Sequence, residues 1–185
     1  MIPKAIIAIL LFLTVVFLAA VSAAAVYVQR HYLRHLLAVD SILRQLPPEE
    51  ASPPGVITGP ISKLHTNGFE FFVTRSLVSE FYQQPPRMLD WHLRNFVWLQ
   101  LLPRRLNRTE LLGLYVHFMQ FEGGRGLVYG AHHYYGKAPH QLTEREALEL
   151  FVISQDPHGY SPTENPERFR AAVERFAERL GAPAA

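Results

Sequence analysis

Residues 126–137 read GLVYGAHHYYGK, and residues 141–170 read QLTEREALELFVISQDPHGYSPTENPERFR. The order is Gly-rich turn, small-residue helix, aromatic-Gly-Lys stop, capped helix, Pro-bounded loop and a further helix start. Thr143 and Glu146 have the spacing of a capping box, in which hydroxyl and carboxylate reciprocally satisfy backbone N–H groups at a helix start. This predicts a helix running to Ser154. Asn165 ahead of Pro166 predicts another, with asparagine as cap and proline in the first turn. Gly123, Gly124 and Gly126 mark a bend where side chains would clash.

Upstream, an aromatic-rich apolar segment over 88–102 carries Trp91, Phe96 and Trp98 and predicts a helix that Pro103 ends or kinks. A second helix is expected over 108–121, with Leu111, Leu112, Leu114, Tyr115 and Phe118 on its buried side. Residues 56–63 are short and read as extended. The segment 66–74 is a turn entering an apolar helix or strand.

The N-terminus is of a different kind. Residues 5–28 form an unbroken apolar run without charge, long enough to cross a hydrocarbon core of about 30 Å. A cleaved signal peptide competes, since residues 22–25 are small. The run continues past them, beyond the usual h-region, which favours an uncleaved anchor. Helical periodicity persists to Gln45, and Pro47 and Pro48 end it. The partition is therefore an anchor and juxtamembrane helix over 1–46, a linker over 47–60 (PPEEASPPG at its start) and a helical domain over 61–182.

The chain has no Cys, which removes thiolate nucleophiles, disulfides and Cys-ligated zinc. A net charge of +2 and a pI near 9.0 suit a domain beside anionic lipid or glycan and are too mild for a nucleic-acid partner. Lys4 precedes the apolar run while Arg30, Arg34 and Arg44 follow it, so the positive-inside rule alone does not place the C-terminal domain outside.

Three blocks in order resemble the peptidoglycan transglycosylases, the family 51 glycosyltransferases, and among them the monofunctional members. Tyr134, Tyr135, Gly136 and Lys137 match an aromatic-Gly-Lys stop. Leu142, Thr143, Glu146 and Ala147 match L-T-x-x-E-A. Pro157, Tyr160, Ser161, Pro162, Asn165, Pro166, Glu167 and Arg170 match P-x-x-Y-S-P followed by N-P-E and a downstream arginine. LLGLYVH (111–117) is similar to the family's I-L-E-x-Y-L-N. The resemblance spans about residues 91–180, with an extension back to Asn67. It implies a mainly α, lysozyme-like transglycosylase domain behind a single N-terminal transmembrane helix.

The resemblance also implies a bacterial inner-membrane, single-pass protein whose domain faces the periplasm. Its substrate class would be lipid II or glycan strands, with peptidoglycan synthases as partners. No cofactor is expected, and a divalent metal only if the chain is active. In that chemistry one carboxylate deprotonates the incoming sugar hydroxyl, and charged groups stabilise the departing pyrophosphate.

The carboxylates are missing where the motifs require them. The family's acidic pair followed by Phe and His is not recognisable. Its helix glutamates fall on Asn95 and Val128, and His92 takes a lysine position. An amide neither takes up a proton nor carries charge. Catalytic residues are therefore unassigned. Among the substitute acids Glu70, Glu80, Asp90 and Glu122, Glu70 is the best placed because Gly68 precedes it, against the blander reading of a surface charge beside Phe69, Phe71 and Phe72. Substrate-binding candidates are Gly68, His92, Arg104, Arg105, Arg108, Gly126 and Lys137.

His31 and His35 have zinc-compatible spacing but lack a third ligand, so no metal site is assigned. Aromatics at 69, 71, 72, 81, 82, 91, 96 and 98 divide between core packing and a headgroup boundary. The expectation is a degenerate, membrane-anchored transglycosylase-like protein binding lipid-linked precursor, glycan or a synthase. The alternatives are a divergent active glycosyltransferase and an envelope adapter.

Overall fold

The computed structural model describes residues 3–65, 68–82 and 87–181, excepting the Lys4 side chain. The expected turn at Asn67 and the domain end at Ala182 lie outside these. Ten α-helices follow one another among the described residues: α1 (Lys4–His31), α2 (Leu36–Gln45), α3 (Pro48–Ala51), α4 (Gly55–Leu64), α5 (Glu70–Phe81), α6 (Met88–Arg105), α7 (Arg108–His117), α8 (Leu127–Tyr135), α9 (Glu144–Gln155) and α10 (Pro166–Leu180). A two-stranded antiparallel hairpin, β1 (Gln120–Phe121) and β2 (Gly124–Arg125), separates α7 from α8.

The 28 residues of α1 span about 42 Å at the helical rise. Its apolar window has mean hydropathy 2.9 and none of it is buried, as it would be in a core helix. Among the described residues it is the helix long and apolar enough to cross a membrane. Its last carbonyl, His31, accepts from the Trp98 indole N–H at 2.9 Å and the Tyr82 hydroxyl at 2.6 Å. The orphan carbonyl of a helix end is thus satisfied by Trp98 of α6 and by Tyr82, the residue that ends α5. The Tyr27 hydroxyl donates to Asp90 Oδ1 at 3.0 Å, Asp90 pairs with Arg94, and the Arg94 guanidinium lies 4.1 Å from the Tyr82 ring centre. The end of α1 is therefore docked on α5 and α6.

The core lies around α7 and α9. Every residue of α7 from Leu111 to Val116 is buried, as is the run Leu150 to Ser154 of α9. α9 packs against α4 and α10, while α3 lies across α7 and touches α8. Gly113 permits that crossing, because a Cβ there would come within 2.8 Å of the Glu50 carbonyl oxygen.

Several expectations change. Residues 56–63 belong to helix α4, not an extended segment, because Ile57, Ile61 and Leu64 recur at helical spacing and all are buried. The proline-rich stretch read as a linker folds as α3 and the start of α4, with Glu50 buried. α6 runs through Pro103 to Arg105. α7 stops at His117 instead of reaching Phe121, and the chain turns into the hairpin. Asn165 does not cap α10 with its side chain; its amide instead donates to the His158 carbonyl at 2.9 Å.

The capping boxes at Asn107–Glu110 and Thr143–Glu146 are both closed reciprocally. Replacing Asn107 or Thr143 by Ala is expected to cost about 1 kcal/mol each. Asn165→Ala should perturb the α9–α10 loop rather than the α10 cap. Chemical unfolding of the purified full chain measures the first two losses, and amide exchange in α10 checks the third.

Candidate functional site

The site is built around a residue that the sequence hid in a proline-rich stretch. Glu50 on α3 is 2 % exposed. Its Oε1 accepts the Val128 backbone N–H at 3.1 Å, and its Oε2 lies 2.9 Å from His117 Nδ1. Val128 is in the first turn of α8, so the carboxylate sits at the positive end of that helix and satisfies an N–H with no intrahelical partner. Gly126 precedes the helix at φ 96°, and a Cβ there would approach Glu50 Oε1 to 2.6 Å. Glycine is thus required twice over at 126, for the backbone angle and for the carboxylate beneath it.

The two positions where the resemblance expects glutamate carry Asn95 and Val128. Asn95 is 5 % exposed, its amide nitrogen donates to the Trp91 carbonyl at 2.8 Å, and its Oδ1 has no hydrogen-bond partner among the described residues. Thr74 on the facing helix α5 is buried with its hydroxyl also unpartnered. Val128 contributes its backbone to Glu50 and an aliphatic side chain to the surroundings.

The other predicted residues do not converge. Glu70 starts α5, half-buried, and its carboxylate folds back over Gly68. His92 is exposed and meets the Trp91 ring edge-on. Arg104 bonds the Gln100 carbonyl, and Arg105 reaches Asp40 at 3.3 Å. Arg108 donates to the Ser62 hydroxyl at 2.8 Å and lies over Phe69. Lys137 pairs with Glu146 at 2.6 Å, and this contact, with the Thr143 backbone N–H, lowers the Glu146 carboxyl below its ordinary value. The arginine cluster is thus three separate tethers, each with its own partner.

A groove of about 360 Å³ does gather polar groups, between α5, the end of α7 and the hairpin. Arg75, Ser76, Ser79, Glu80, Gln120 and Arg125 line it, with Phe72 and Phe118 as aromatic walls. Glu80, its carboxylate, is gripped by Arg125 at 2.9 and 3.5 Å. Both oxygens are occupied by a planar fork of donors, which suits anchoring and not proton abstraction.

Behind the groove, His65 Nε2 and the buried Tyr115 hydroxyl are 2.8 Å apart, and Gln155 approaches the same hydroxyl at 3.5 Å. Burial pushes the Tyr115 phenol far up, so it stays protonated. Burial also lowers the His65 imidazole, assisted by Arg179.

The transglycosylase family model matches residues 73–181. The chain belongs to the transglycosylase family, and its mainly α, lysozyme-like domain stands behind a long apolar N-terminal helix. It is 34% identical over 105 residues to penicillin-binding protein 1C of Escherichia coli (strain K12). That match covers 52% of this chain and 14% of the relative, so the chain spans a small part of the relative's length.

Removing the Glu50 carboxylate leaves His117 and the Val128 N–H without their partner. Glu50→Ala is expected to cost about 2 kcal/mol, the scale of buried donors left without an acceptor, and Glu50→Gln about 1 kcal/mol, since an amide oxygen still accepts one bond. Denaturant unfolding distinguishes the two. His65 titrates with the opposite logic to a paired His. Its folded pKa lies below the unfolded value of about 6.5, so the unfolded chain binds more protons and stability falls as pH drops through that range. Melting temperature should decline from pH 7.5 to pH 5.5, and less steeply in His65→Gln.

Proposed function

We propose that this protein is a degenerate transglycosylase of bacterial cell-wall assembly that binds the diphosphate-linked saccharide of a lipid-anchored precursor without polymerising it. The observation that carries this reading is the groove of Arg75, Arg125, Ser76, Ser79 and Gln120. Guanidiniums, hydroxyls and an amide supply donors for a diphosphate and for sugar hydroxyls, while Phe72 and Phe118 offer flat apolar faces. Glu80 is held by Arg125, and the two motif positions carry Asn95 and Val128. Binding groups are therefore retained where proton-handling groups are absent.

The same reading places the domain on the periplasmic side of the inner membrane, where such a precursor is displayed. Met88, Leu89, Leu93 and Phe96 form an exposed apolar stripe along α6. Asp90 of that segment is hydrogen-bonded to Tyr27 of the anchor, which supports α6 lying against the lipid surface. Nascent glycan and a synthase are further partners of the same surface.

A divergent active enzyme is favoured by one observation, the pair Glu49–Glu50. Glu49 is half-buried on α3, one residue from the carboxylate that touches the Gly126 turn. It is better placed than Glu70, which folds back over Gly68.

The purified full chain in lipid vesicles, given a labelled lipid-linked disaccharide-peptide, tests these readings. Binding without polymer is expected, weakened about tenfold or more by Arg75→Ala or Arg125→Ala, the scale of a lost charge-assisted contact. Polymer formation that Glu49→Gln abolishes would establish the active enzyme instead. Neither binding nor polymer, with a co-purifying membrane protein, would establish an adapter.

A further inference from the structure

At the turn of the hairpin, three side chains from two distant segments meet. Glu122 stands in the β1–β2 turn. His158 and Glu164 stand in the loop between α9 and α10. A carboxylate oxygen from each glutamate and an imidazole nitrogen of His158 all lie within 4.8 Å of one another.

Two features separate this cluster from ordinary surface polarity. First, the carboxylates approach each other without a cation. Among the described residues neither forms a salt bridge, in a chain of net charge +2. The nearby Arg168 is engaged elsewhere, pairing with Asp156 at 3.6 Å and lying over the Tyr160 ring. Like charges held together are stabilised by an ion between them. Second, each backbone is independently fixed. The Glu122 carbonyl accepts the Tyr129 hydroxyl at 3.0 Å, and the Tyr129 ring packs so tightly on Gly124 that a Cβ there would come within 2.6 Å of it. The His158 carbonyl accepts the Asn165 amide, and the Glu164 N–H donates to the Ser161 hydroxyl at 3.3 Å. The groups do not depend on a ligand for their approximate positions, only for closing the last distance.

We propose that Glu122, His158 and Glu164 bind one divalent transition-metal cation. Two carboxylate oxygens and one imidazole nitrogen form a borderline donor set suited to zinc or manganese, with water completing the shell. An all-oxygen ion such as magnesium or calcium gains nothing from the imidazole. Bound there, the cation clips the hairpin turn to the α9–α10 loop. The hairpin carries Arg125 into the groove, so the clip steadies one wall of it from behind. The proposal is independent of what the groove binds.

The test uses the full chain in detergent, stripped by chelator and titrated with Mn²⁺ (loss of the free-ion electron paramagnetic resonance signal) and with Zn²⁺ by calorimetry. One equivalent is expected to bind with distinctly higher affinity than any other. His158→Ala and Glu164→Gln should each weaken it at least about tenfold, since even outer-shell changes have such effects. Cobalt substitution should give a visible absorption band that His158→Ala removes, while His140→Ala, at an exposed histidine elsewhere, leaves it intact. Metal-free melting curves of the variants check that they fold. Several weak equivalents, or uptake indifferent to His158 and Glu164, would mean an adventitious ion only and would overturn the proposal.

Discussion

A single buried carboxylate organises the centre of this molecule. Glu50 takes an N–H from the start of α8, lies against a ring nitrogen of His117 at the end of α7, and does so from a helix of 4 residues. Taking a carboxylate out of water is costly unless its oxygens are partnered, and both are partnered here. The arrangement dictates what surrounds it. Gly113 must be small for α3 to cross α7, Gly126 must be small and left-handed above the carboxylate, and the hairpin is obliged to return the chain to α8 at one angle.

The consequences reach the groove. Met119, just past α7, accepts the Gly126 N–H at 2.9 Å, so the hairpin is held at its base while Tyr129 braces its tip. Arg125 projects from that fixed hairpin and meets Glu80 of α5. α6, with Tyr82 at the end of α5, holds the end of the apolar helix α1 through Tyr82, Trp98 and Asp90. The apolar helix α1, the groove and α8 are linked through one continuous set of packed helices, in which Glu50 ties α3 to the start of α8 and the end of α7.

How far the sequence foretold this depends on the range of each signal. The Thr143–Glu146 capping box was legible because cap and partner are three residues apart and need no tertiary information; the Asn107–Glu110 box has the same spacing and went unread. The aromatic-Gly-Lys stop and the loop after α9 were legible as a resemblance because their spacing survives. The long apolar helix α1 was legible from composition alone. Glu50 was not, since its partners lie 67 and 78 positions away and its own neighbours, PPEEASPPG, have linker composition. Asn165 shows the reverse error: a strong local cap signal lost to a tertiary partner, the His158 carbonyl. The arginines at 104, 105 and 108 looked like a cluster because they are close in sequence, yet each side chain has a separate acceptor. Arg75 and Arg125, which do share a groove, are too far apart in the chain for spacing to reveal them.

If Glu50 is the keystone, the backbone around it should be among the most protected in the protein. Amide hydrogen exchange of the full chain in detergent measures this directly. The account predicts that the Gly126 and Val128 amides exchange only on global unfolding, as slowly as the buried centre of α7. Exchange at the Val128 amide on the timescale of an exposed loop would contradict it, because the carboxylate would then not be holding the start of α8.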